Sequence, residues 1–264
     1  MIGKNIYISN TAIDPHIYKK KGANPDMQQR YIQQIEQTPF EGNRMTIVKN
    51  PGELSRRGFN LLTSTLVLVG FLILAVCSSI SCDPSFLASV ASHGLAVAIG
   101  SLVGSILGIV LISMAGRRQS TGLAFLGYGL VVLTLGFSTG LILPQYDIPA
   151  ITGAFAATAV IALVFGILGL IFPRFFEKAS RVCFGVLLAY IVIALISMFT
   201  GMQLFSWLDY IMVLVFGIFI GRDYYVVTQA APTVYNAVTC AASLYLDLIN
   251  LFTTLLDIFG RQSD

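Results

Sequence analysis

From Phe59 onward the chain is a succession of apolar runs parted by short polar breaks. The runs lie near 58–80, 95–115, 123–143, 150–172, 183–201, 207–225 and 238–260. A bilayer core of about 30 Å is crossed by ~20 helical residues, and each run meets that length. The sixth is apolar only from Tyr210 to Gly221. Trp207, Tyr210, Tyr224 and Tyr225 flank it, as interfacial aromatics flank a span. The runs therefore predict an all-α membrane protein, a bundle of seven transmembrane helices in a lipid bilayer. Composition agrees: 11% of residues are charged, against about 25% in soluble domains.

Charge sets the expected topology. Nine of the 16 Lys and Arg lie in the first 57 residues. Lys49, Arg56 and Arg57 precede span one, Arg117 and Arg118 follow span two, and Arg174, Lys178 and Arg181 follow span four. The alternate loops, 81–94, 144–149 and 202–206, carry neither Lys nor Arg. The positive-inside rule then puts the N-terminus in the cytoplasm. It also explains the net charge of +3 without nucleic acid. Three segments follow: a partly ordered cytoplasmic tail (1–57), the transmembrane domain (58–260) and a short C-terminal tail (261–264). Within the first tail, residues 26–37 have the pattern of a short helix with Asp26 as N-cap. The first apolar run begins beyond the range of a secretory signal, so no cleaved leader is expected.

The motifs of common enzymes are missing. There is no Walker loop, no GxSxG and no dinucleotide fingerprint, and with two histidines no metal-ligand set is legible. The expectation is a protein that is no enzyme and carries no cofactor. Cys77, Cys82, Cys183 and Cys240 read as small residues of the bundle. Gly100, Gly104 and Gly108 in span two, with Ser101 and Ser105 alongside, and Gly136 and Gly140 in span three have the spacing that lets helices approach closely.

The last run is different. Ser243, Asp247, Asn250, Thr254 and Asp257 recur at i, i+4, i+7, i+11 and i+14. On an ideal helix they fall within about 80° of one another, a narrow polar stripe that faces protein or water. An aspartate near a helix centre costs about 2.5–3.5 kcal/mol to insert, which marks it as a functional candidate. Asp223 lies near the inner end of span six. A turn in "APTVYN" (231–236), centred on Tyr235, places Asp223 and Asp247 at equal depth, 12 residues to either side. Two adjoining carboxyls at reduced dielectric tend to share one proton. The shared proton clamps spans six and seven, and its loss leaves repulsion and a site attractive to a hard cation such as calcium.

"ASLYLDLINLFTTLLDIFG" (242–260) resembles the last conserved segment of the Bax inhibitor-1 family, a pattern of roughly LYLDFINLFxxLLxxxG. "AFAATAVIALVFGILGLI" (154–171) resembles that family's fourth-helix AFxxTAxxF segment. The resemblance implies a Bax inhibitor-1 type bundle with a central polar last helix. It implies a pH-sensitive calcium leak governed by an aspartate pair, here Asp223 and Asp247, with calcium as transported ion. The alternative it implies is a non-conducting regulator that binds a membrane-bound AAA protease or another membrane partner. A bacterial inner membrane is the implied location. Two positions depart from the pattern. Asp257 stands where the last helix often has a basic residue. Span two lacks an arginine between Ser92 and Gly116, leaving Arg222, Arg117 and Arg118 as charge partners for the pair.

Overall fold

A computed structural model describes residues 53–91, 93–118, 120–200 and 207–261. Most of the expected N-terminal tail, with its helix at 26–37, lies outside these residues, as do the last three positions. Among the described residues eight α-helices follow one another. They are α1 (Arg56–Ser81), α2 (Pro84–Ala91), α3 (Gly94–Arg118), α4 (Thr121–Ile142), α5 (Ile148–Ile171), α6 (Pro173–Thr200), α7 (Trp207–Gln229) and α8 (Val234–Gly260). All but α2 are long and apolar enough to cross a membrane, which gives the seven-span all-α architecture the runs predict.

Local chemistry sets where the helices start. Ser55, Ser120, Asp147 and Thr233 are N-caps of α1, α4, α5 and α8, each accepting from a backbone N–H three residues on. Such a cap satisfies a donor the first turn leaves without an intrahelical partner. Pro149 occupies the first turn of α5, where a missing N–H costs nothing. The segment before α1 is pinned to the α7–α8 turn: Leu54 donates its backbone N–H to the Pro232 carbonyl at 2.7 Å, beside a bridge between Glu53 and Thr233.

The hub of the bundle is α8, which packs against α1, α4, α5 and α7. Its Tyr245, Ile249, Leu251, Phe252 and Leu256 are almost wholly enclosed. Helices α3 and α6 lie outside this group, α3 mainly on α4 and α6 mainly on α7. Leu102, Val103, Ile106 and Leu107 of α3, and Val182, Phe184, Leu188 and Val192 of α6, are exposed. Those are lipid-facing surfaces. Lipid tails are as apolar as Leu, so helices in a bilayer are held by close packing rather than by hydrophobic burial. Small residues supply it here. Gly104 of α3 abuts Thr134, and Gly108 abuts Gly127 and Val131, all on α4. Gly136 and Gly140 set α4 against Leu74, Cys77 and Ser78 of α1. Gly100 faces open space and takes no part. The tightest approach is Gly169 of α5 on the Gly221 backbone of α7.

Two boundaries differ from expectation. The fifth span begins at Pro173 rather than near residue 183. Its basic stretch is helical, with Arg181 donating to Glu177 at 3.1 Å one turn back. A helix can outrun its apolar stretch where its end stands in the polar interface. The turn between α7 and α8 spans 230–233, earlier than 231–236, because Thr233 caps α8 and draws Tyr235 and Asn236 into its first turn. In addition, the loop after α1 contains the short helix α2, capped by Asp83.

Candidate functional site

The earlier turn changes how Asp223 and Asp247 come together. Ser243, twenty residues after Asp223, lies directly across the hairpin and donates its hydroxyl to Asp223 Oδ2. Asp247 is one turn farther from the hairpin turn. Side chains on a helix lean toward its N-terminus. In antiparallel helices Asp223 therefore leans toward the bundle's far end and Asp247 leans back toward the turn. The offset closes, and the two carboxyls lie within hydrogen-bonding reach. Asp223 is buried, at 4% exposure, and Asp247 is half-buried.

Arg222 Nη1 donates to Asp223 Oδ1 at 3.1 Å while its side chain remains 45% exposed. Cys240, buried on α8, is a further titratable group close to Asp223. Among the described residues the site thus holds two carboxyls, one half-exposed guanidinium, one hydroxyl and one thiol. One proton between the carboxyls makes a bridge from α7 to α8. With both ionised, the described residues set one Arg+ against two negative charges, which repel each other. Arg117 and Arg118 end α3, and their side chains lie outside the described residues.

The polar stripe of α8 is not one continuous site. Farther along, Thr254 donates its hydroxyl to the Asn250 carbonyl at 2.8 Å, inside its own helix. Asp257 belongs to the opposite end of the bundle, where it accepts from the Tyr146 hydroxyl in the connection between α4 and α5. Around it stand groups that sequence reasoning missed. Arg261, just past α8, pairs with Asp209 at the start of α7 at 2.5 Å, and Tyr190 of α6 is within hydrogen-bonding reach of Asp209. The hairpin carries a signal for their depth, though not for the way they face. An antiparallel pair that sets Asp223 against Ser243 also brings the two far ends, Asp209 and Arg261, together.

Elsewhere on α8, the Tyr245 hydroxyl is buried without a hydrogen-bond partner among the described residues. Its ring fills the gap left by the absent side chain of Gly70 and meets Phe71 edge-on, with ring centres 5.7 Å apart. Tyr128 donates its hydroxyl to the Leu66 carbonyl nearby. Among the described residues no group of three or more His, Cys, Asp or Glu is arranged to hold a metal ion.

Comparison with known proteins agrees with this architecture. Two membrane proteins of Streptococcus pyogenes, from serotypes M3 and M1, are each 30% identical to the chain over 165 residues, covering 58% of it and 70% of the relative. Both are described as uncharacterized membrane proteins. The family model for the inhibitor of apoptosis-promoting Bax1 matches residues 53–264, the whole helical bundle. The chain is a membrane protein, and it belongs to the Bax1-I family.

Proposed function

We propose that the protein is a proton-regulated leak for cations, calcium first among them, in which the Asp223–Asp247 pair is the gate. The observation that carries this reading is the contact of the two carboxyls across the α7–α8 hairpin. Lipid or a packed core tolerates such a pair only with a proton or a cation between its members. With the proton in place, the bridge and the Ser243–Asp223 bond hold α7 against α8. Without it, the carboxylates repel and present hard oxygen ligands to a divalent cation. Flux is then low in acid and rises as the shared proton leaves. The reading includes an N-terminus in the cytoplasm and residence in a bacterial inner membrane, in line with the charge asymmetry of the loops.

The test is calcium flux into vesicles containing the purified chain, between about pH 6 and pH 8. The expected result is flux that increases with pH and is lost or made pH-independent in Asp247→Ala. Absence of flux at every pH, with a membrane protease or another membrane protein co-purifying, would overturn the leak and favour a non-conducting regulator.

A further inference from the structure

Helices α6 and α7 run antiparallel, and between them opens a cleft of about 380 Å³ lined by Glu177, Ser180, Arg181, Phe184, Phe219 and Arg222. Its residues are ordered by depth. On α6, Phe184 is three residues deeper into the bundle than Arg181. On α7, which runs the other way, Phe219 is three residues deeper than Arg222. Three helical residues rise about 4.5 Å. The cleft therefore presents two guanidinium groups at one level and two phenyl rings about one turn below. Phe184 is largely exposed, so the lower part of the cleft opens to the membrane.

Neither arginine is spent on its present partner. Arg181 pairs with Glu177 in an i,i+4 bridge whose side chains are 74% and 59% exposed, an arrangement that holds a guanidinium only weakly. Arg222 binds Asp223 through Nη1 and keeps 45% of its side chain exposed. Guanidinium groups match phosphate in geometry and hold it bidentately. The end of the bundle that carries Arg174, Lys178, Arg181 and Arg222 is its basic end, and basic pockets between membrane helices attract anionic headgroups.

We propose that this cleft binds an anionic phospholipid, its phosphate between Arg181 and Arg222 and an acyl chain along Phe184 and Phe219. The upper level sets two guanidinium groups against the one cleft-lining carboxylate, Glu177, and with the apolar walls below it favours an anionic lipid over a soluble anion. The site also touches the aspartate pair, because a phosphate that engages Arg222 competes with Asp223 for it. That last consequence rests on the proposed function above; lipid binding itself does not.

The experiment is native mass spectrometry of the full chain released from detergent, with dioleoyl phosphatidylglycerol or dioleoyl phosphatidylcholine added. The expected result is several-fold greater retention of phosphatidylglycerol, a preference reduced in R181Q, abolished in the R181Q/R222Q double variant and kept in R174Q. R181Q leaves the aspartate pair untouched and so remains informative if the double variant does not fold. Equal retention of the two lipids, or an unchanged preference in R181Q, would overturn the proposal. An equal loss in R174Q would make the preference one of general surface charge, and displacement by soluble glycerol phosphate at matching concentration would make the site one for free phosphate. Either result also overturns it. None of these readouts depends on ion flux, so the binding site and the leak stand or fall separately.

Discussion

The Tyr146 hydroxyl donates to the Asp257 carboxylate across 111 residues of chain, tying the α4–α5 connection to the end of the central helix. With Asp209–Arg261 beside it, this bond closes one end of the bundle, while Asp223, Ser243 and Asp247 join α7 to α8 nearer the middle of α8. Asp257 thus has a partner of its own and is no part of the Asp223–Asp247 pair.

Removing that bond should cost stability. Tyr146→Phe is expected to lower the unfolding free energy by about 1–2 kcal/mol, as for a partly buried hydrogen bond to a charged acceptor. Burial first, and then the bond to Asp257, push the Tyr146 phenol above its ordinary range. A raised folded-state value means the contribution is present below the unfolded value and lost only as pH rises through the folded one. The deficit in Tyr146→Phe should therefore be the same at pH 6 and pH 8, measured as a shift in thermal unfolding in detergent. A deficit that vanishes within that window would refute the assignment.

Arg261→Gln leaves Asp209, 11% exposed at its side chain, without its cation. Breaking a fully buried pair costs about 3–5 kcal/mol. Since Arg261 is 44% exposed, the expected loss is smaller, about 1–2 kcal/mol. Restoration by an Asp209→Asn second change, in a double-mutant cycle, would show that the cost is the orphaned carboxylate.

At the other end, Asp223→Asn and Asp247→Asn each replace a titrating carboxyl by a neutral group of similar shape. Calcium flux in vesicles should lose its rise with pH in both variants, because neither can reach the doubly charged, repelling state. A pH profile unchanged from the parent in both would rule out this pair as the gate.

Close packing of α5 on α7 predicts a contrast between two glycines. A Cβ at Gly169 meets the Gly221 backbone, which cannot yield as a flexible side chain would. Gly169→Ala should destabilise by about 1–3 kcal/mol, typical of overpacking. Gly100→Ala, with nothing within 4 Å of its Cβ, should be neutral or slightly stabilising. Thermal unfolding of the two variants side by side decides it.

Asp83 caps α2, accepting from the Ser85 amide at 2.8 Å, the Ser85 hydroxyl and the Phe86 amide. Ser85 hydrogen bonds hold the Asp83 carboxyl below the usual carboxylate range. A lowered folded-state value contributes above the unfolded value and is lost as pH falls through the folded one. Hydrogen exchange at Ser85 and Phe86 should therefore stay protected at neutral pH and lose protection in strong acid. Asp83→Ala should lack the protection throughout.

Much of this protein is determined by its sequence alone. A bilayer demands about 20 apolar residues per crossing, so seven runs dictate seven spans whatever the tertiary packing. The spacing of Gly104, Gly108, Gly136 and Gly140 marked interfaces for the same reason: only small residues let backbones meet. The five-residue stripe of α8 marked an enclosed helix, because lipid cannot solvate aspartate. An approximate match in depth between Asp223 and Asp247 was legible from counting along a hairpin. The count used the wrong turn, because the Thr233 cap prevails over the turn propensity around it and draws Tyr235 and Asn236 into the first turn of α8.

Only the tertiary structure decided which partner each polar group found. Ser243 could not be placed opposite Asp223, nor Tyr146 on Asp257, nor Arg261 on Asp209, from periodicity. Those contacts depend on the azimuth of each helix about its own axis and on the offset between neighbours. Both are set by close packing over many residues, as at Gly169 on Gly221, and not by any one segment's pattern. The sequence reports how deep a residue lies in the membrane to within about a helical turn, because depth follows from counting at a fixed rise. It does not report which way the residue faces, because rotation is chosen by the whole bundle at once.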